Sequence, residues 1–166
     1  MLQNPKHLID EFLAVLRDQH GLVLALGTIS HDGSVAPHRA SDLPRGVAAV
    51  YVFTLPTTTK AQAGPNRALK IGKAGPNSNA RFRYQHYKSS TAKSTLAGAI
   101  ENNPILRPYI GIRDMPSDIG TWIRQNTDRD NFYVTGERAN VLSMLEVFLK
   151  GHLGPVFEGS LSSNES

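Results

Sequence analysis

The stretch GVAAVYVFTLPTTTKAQAGPNRALKIGKAGPNSNARFRYQHYK (46–88) decides the fold. VAAVYVFTL (47–55) is dense in β-branched and aromatic residues and reads as a strand. ALKIGKA (68–74) reads as its partner, reached through the long polar loop 56–66. GPNSN (75–79) is a turn that offers Ser78 or Asn79 as the cap of a helix over 80–89. The stretch is also one-sided in charge. Lys60, Arg67, Lys70, Lys73, Arg81, Arg83, Lys88 and Lys93 follow one another with no Asp or Glu between them. A solvated face can have this composition, but so long an absence of acids suits a surface that meets phosphates.

Upstream, Asn4-Pro5 is a helix start, and Leu8, Ile9, Phe12, Leu13 and Leu16 recur at helical spacing up to His20-Gly21. LVLALGTIS (22–30) reads as a buried strand. Asp32-Gly33 then reads as a hairpin turn into a short return strand at 34–36. The Pro-containing stretch 37–46 separates an N-terminal helix-and-hairpin extension (1–45) from a core (46–159). Downstream, 94–103 and 117–127 read as helices, the second capped by Ser117. NFYVTG (131–136) reads as the third core strand, ERANVLSMLEVFLKGH (137–152) as a final helix, and 160–166 as a disordered tail. The expected fold class is α+β: a small antiparallel sheet of three core strands flanked by helices.

The chain has 166 residues, 40% hydrophobic and 19% charged, with a net charge of +4 and a pI near 9.5. That is ample for one domain with its own core. No apolar run approaches membrane-spanning length, and Asp10 and Glu11 interrupt the first apolar stretch, so neither a membrane span nor an export signal is expected. Without cysteine there is no thiolate metal site and no cysteine nucleophile, and a cytoplasmic location is expected.

The remaining signal lies in two places. Ala49-Val50-Tyr51 and Lys70-Ile71-Gly72-Lys73 precede an arginine-bearing helix. Leu145-Glu146-Val147-Phe148-Leu149-Lys150 is followed by Pro155 and Phe157, the proline nine residues after the glutamate. This set resembles the GIY-YIG nucleases, in which two strand triplets are followed by a helix with an essential arginine. The C-terminal segment resembles the bacterial excision-nuclease branch, and the size resembles the family's restriction endonucleases. The first triplet lacks its glycine, and Lys70 stands where the second triplet has tyrosine.

The resemblance implies a divalent-metal-dependent DNA endonuclease that hydrolyses phosphodiester bonds. It implies Mg²⁺ or Mn²⁺ held by Glu146, a catalytic set of Tyr51, Lys73, Arg81, His86 and Glu146, and Arg83 or Lys70 as alternatives. Arg81 and Arg83 lie about 200° apart on a helix, so only one can face a site. Lys60, Arg67, Lys70, Arg83, Lys88 and Lys93 are the expected nucleic-acid contacts. Tyr51, with its pKa lowered by Lys73, is the expected base. Cutting both strands of double-stranded DNA from one site per chain calls for a homodimer. Each part has a plainer reading: a strand tyrosine packs a sheet, and Glu146–Lys150 is a surface i,i+4 pair worth about a few tenths of a kcal/mol. Two rival functions follow from these, a catalytically inactive nucleic-acid-binding module of the same fold and a protein-interaction domain with an incidental basic face.

Overall fold

A computed structural model describes residues 1–59, 67–89, 94–136 and 139–158. Its order is α1 (Pro5–His20), β1 (Ile29–Ser34), β2 (Val47–Thr54), β3 (Ala68–Ala74), α2 (Asn79–Arg83), α3 (Leu96–Glu101), α4 (Ile119–Asn126), β4 (Asp128–Thr135) and α5 (Ala139–Leu153). Short 3₁₀ turns lie at Gln85–Tyr87 and Arg107–Ile110. The fold is α+β, with one open antiparallel sheet of order β1-β4-β2-β3. The three expected core strands are adjacent, with β2 between β3 and β4.

The first helix forms as its ends dictate. The Asn4 side chain accepts from the His7 N–H, and Gly21 closes the helix at φ 63° with its N–H on the Arg17 carbonyl. The expected strand over 22–30 is a correction: pairing begins only at Ile29, and Val23 and Leu26 are exposed. Asp32 and Gly33 do not form a hairpin. They lie inside β1, opposite Asn131 and Asp130 of β4. The Asp-Gly turn preference is local, and pairing with a strand about a hundred residues away overrides it. In α4 the cap is Asp118 rather than Ser117, accepting from the Thr121 N–H at 3.1 Å. The expected helix over 80–89 divides into α2 and the 3₁₀ turn 85–87. β4 starts at Asp128, three residues before the expected strand, because its charged residues are satisfied by distant partners.

The sheet carries a core on each face. Tyr51, Phe53, Leu69, Phe82, Ile100 and Ile123 pack together on the face covered by α2, α3 and α4. Val50, Val52, Ile71, Phe132, Leu145 and Leu149 pack on the other, with Phe12 and Leu16 of α1. Burying each such side chain contributes about 1.5–3 kcal/mol. Residues 1–45 thus supply α1 and an edge strand to the same sheet. At the other edge, β3 is crossed by the chain leaving α5. Val156 and Phe157 donate their N–H groups to the Ala68 and Leu69 carbonyls at 3.0 and 2.8 Å, and the Phe157 side chain is buried on the Tyr51 face. The edge strand is therefore approached from both faces at once. Among the described residues no helix is long and apolar enough to cross a membrane.

Candidate active site

In the sheet register Tyr51 of β2 stands opposite Gly72 of β3. Both lie on the same face, and the phenol ring lies over the glycine. A Cβ on Gly72 would come within 2.6 Å of Tyr51 Oη and 2.8 Å of its Cζ and Cε2. Gly72 is thus a spatial requirement of the Tyr51 ring.

Two helical segments close over the phenol. Arg81, half-buried on α2, donates from Nε to Tyr51 Oη at 3.3 Å. His86, fully buried on the 3₁₀ turn, lies 2.6 Å from the same oxygen through Nε2. The Leu96 N–H donates to His86 Nδ1 at 3.1 Å, so that nitrogen is the acceptor and the ring hydrogen sits on Nε2. Burial, with Arg129, Arg81 and Lys70 nearby, holds the imidazole pKa well below its ordinary value, so the ring is neutral and cannot donate from Nδ1. Tyr51 Oη therefore receives two N–H donors. Burial raises the Tyr51 pKa above its ordinary value, and Arg81 and Arg129 oppose that rise.

Lys73 is one residue past Gly72 and points to the opposite face. There its Nζ meets Glu146 Oε2 at 3.1 Å and donates to Ser143 Oγ at 2.9 Å. Lys150 Nζ meets Glu146 Oε1 at 3.0 Å. Burial alone would raise the Glu146 pKa, but the bonds from Lys150 and Lys73 outweigh it and hold the carboxyl below its usual value. The expected Tyr51–Lys73 partnership is thus not what the strand permits. Successive side chains alternate faces, and the cations acting on the phenol are Arg81 and Arg129. Lys70, buried on the Tyr51 face, reaches the Phe157 carbonyl at 3.4 Å. Burial, then Lys150 and Arg81, lower its pKa to about 8. Glu146 acts across the edge strand, raising the pKa of both Lys70 and Tyr51. Tyr51, Arg81, His86, Lys70, Lys73 and Glu146 therefore gather around Gly72 at the β3 edge.

The other expected contacts are placed differently. Arg83 is held in a two-pronged pair with Asp42, at 2.6 and 2.7 Å, and faces away from the phenol. Arg67 donates to the Leu55 and Thr59 carbonyls. Lys88 is exposed. Lys60 and Lys93, like the tail 160–166, lie outside the described residues.

Sequence reading missed Arg129. It is buried on the Tyr51 face of β4 and donates from Nε to Asn131 Oδ1, from Nη1 to Tyr87 Oη and from Nη2 to the Phe82 carbonyl. Its guanidinium lies 4.2 Å from the Phe82 ring and 5.4 Å from that of Tyr51. The Tyr87 hydroxyl continues to His38, whose other nitrogen meets the Thr127 carbonyl. The run Asp128-Arg129-Asp130 reads as a polar turn in sequence, and no local signal marks it as buried.

No group of three or more His, Asp or Glu side chains placed for a metal occurs among the described residues. A single carboxylate is nevertheless a suitable donor for Mg²⁺ or Mn²⁺, which retain much of their water, and Glu146 offers two hard oxygens, each of which a metal would share with or take from a lysine ammonium, Lys73 or Lys150. Both lysines are half-buried on flexible stems. In comparison with known proteins, no family model, no characterised protein sequence and no solved structure matches the chain.

Proposed function

We propose that the protein is a divalent-metal-dependent DNA endonuclease of GIY-YIG type, of a restriction or anti-phage kind, working in the cytoplasm on double-stranded DNA as a homodimer. One observation carries the reading: the residues expected from two distant sequence segments converge on Gly72, with a carboxylate on one side of the edge strand and a phenol, an arginine and a lysine on the other. Glu146 would hold the metal, which when bound supplies positive charge to the phosphodiester. Arg81 pairs with a non-bridging phosphate oxygen through its planar fork. In leaving Tyr51 Oη it uncovers the phenol, which in its ionised form takes the proton of the attacking water. His86 keeps its hydrogen on Nε2 and holds the tyrosine oxygen in place. Lys73 and Lys150 keep Glu146 ionised, the form in which it would hold a metal.

A second reading, a nucleic-acid-binding module without catalysis, is favoured by two features. The Tyr51 side chain is fully buried, and both Glu146 oxygens are engaged by lysines. Incubating supercoiled plasmid with the protein in Mg²⁺ or Mn²⁺, and again in EDTA, separates them. Metal-dependent nicking or linearisation is the expected result. Binding that weakens steeply with salt, with no cleavage under any metal, would establish the module instead. Absence of both would leave the interaction domain.

A further inference from the structure

Both contacts to Tyr51 Oη come from groups that donate to it, Arg81 Nε and His86 Nε2. The His86 assignment follows from the Leu96 N–H on Nδ1. The phenol is fully buried, and among the described residues its two hydrogen-bond partners offer hydrogens rather than lone pairs. These donors and the cations beside them favour charge on the oxygen, against the burial that raises the phenol's pKa. The same ring lies 5.4 Å from the guanidinium carbon of Arg129. That guanidinium is almost wholly buried, its three hydrogen-bond acceptors are all uncharged, and no ion pair joins it to a carboxylate among the described residues. A buried charge lacking a direct counter-ion is costly, and an ionised phenol on the same face would help to balance it.

We infer that Arg129 is a positioning residue for Tyr51, an internal counter-charge that holds the phenol ready to carry negative charge. It acts from below the ring and touches neither substrate nor metal. The Phe82 carbonyl and Asn131 fix it through Nη2 and Nε. The third bond leads to Tyr87, which donates to His38 Nε2, while His38 donates from Nδ1 to the Thr127 carbonyl. His38 has a pKa lowered chiefly by burial, so the chain ends on a neutral imidazole and brings no second charge to the site. The groups that bear on Tyr51 are then Arg81 from α2, His86 from the 3₁₀ turn, Arg129 from β4 and, with opposite sign, Glu146 from α5, while Lys70 of β3 acts on His86. Arg81 departs to a phosphate in the proposed reaction. Arg129 cannot, and it keeps a positive charge beside the phenol throughout.

This inference rests on Tyr51 being the base, but its test needs no DNA. The protein is labelled with ¹³C at the tyrosine ζ carbon, and the five tyrosines are titrated by NMR, with Tyr51→Phe identifying the Tyr51 signal. A unit charge at 5.4 Å across a protein interior moves such a titration by about one to two pH units. Arg129→Gln is expected to raise the Tyr51 midpoint by that amount, and Arg129→Lys to restore most of it. Should Arg129→Gln not fold, Arg129→Met, which keeps the apolar stem over the Phe82 ring and removes the charge, is expected to move the midpoint the same way. An unchanged midpoint in a folded Arg129→Gln or Arg129→Met protein would overturn the inference, as would a midpoint in Arg129→Lys as high as in the neutral variant. A protein that shows the coupling yet never cuts DNA would refute the nuclease reading and leave the Arg129–Tyr51 coupling standing.

Discussion

Gly72→Ala tests the geometry on which the site depends. The added Cβ would sit 2.6 Å from Tyr51 Oη and 2.8 Å from two ring carbons. To reach an ordinary contact of about 3.4 Å the ring must retreat by ~0.8 Å. It cannot do so freely. His86 is 2.6 Å beyond its oxygen, and Phe53 and Phe82 flank it with ring centroids 6.1 Å away. Overpacking of this kind costs about 1–3 kcal/mol. Gly72 does not have a positive φ, so an alanine there is otherwise welcome and should gain about 0.5–1 kcal/mol from reduced chain freedom. The sign of the effect therefore depends on Tyr51. Urea denaturation followed by circular dichroism should show Gly72→Ala destabilising the wild-type chain and neutral or stabilising in a Tyr51→Leu background, which lacks the clashing atoms. The two should couple by about 1–3 kcal/mol, the overpacking penalty alone, because the gain from reduced chain freedom is common to both backgrounds. Equal destabilisation in both backgrounds would refute the reasoning, because the penalty would then come from the strand and not from the phenol.

Further expectations concern single groups. Glu146→Gln should fold and bind DNA but lose metal-dependent cleavage; a wild-type rate would remove Glu146 as metal ligand. Arg81→Ala should raise the cleavage barrier by roughly 3–4 kcal/mol, as for other charge-stabilising donors, whereas Arg83→Ala, which only frees Asp42, should leave turnover near wild type; the reverse pattern in single-turnover rates would assign the arginine wrongly. Tyr51→Phe leaves the Arg81 and His86 hydrogens without their acceptor, at a cost of about 1–3 kcal/mol, and should abolish cleavage; unchanged cleavage makes the tyrosine structural. Lys70 has a folded pKa of about 8 against an ordinary 10.5. The unfolded chain therefore binds the extra proton between those values, and stability should rise with pH across that window. Lys70→Met should lack the rise and exceed wild type below pH 8 by about 2–3 kcal/mol; parallel stability curves for the two proteins from pH 7 to 10.5 would show that Lys70 titrates normally.

The local chemistry of the chain was enough to set the elements whose causes are local. Asn4 and Gly21 bound α1, β-branched runs place β2 and β3, and the apolar stripe of α5 is legible at Val141, Leu142, Leu145 and Leu149. The glutamate-to-proline spacing singles out Glu146 only as a candidate, and the glycine of Lys70-Ile71-Gly72 falls where the Tyr51 ring leaves no room for a side chain. What tertiary structure alone decided involves partners far apart in the chain. Whether Arg81 or Arg83 faces Tyr51 depends on where α2 docks on the sheet, which two positions on one helix cannot reveal. The separation of Lys73 from Tyr51 depends on sheet register, because a shift of one residue exchanges the faces. The Asp-Gly pair of β1 and the charged start of β4 were hidden for the same reason. Turn preference and polarity are read over a few residues, while the pairing of β1 with β4 and the aromatic bed of Arg129 are assembled from segments about forty to a hundred residues apart.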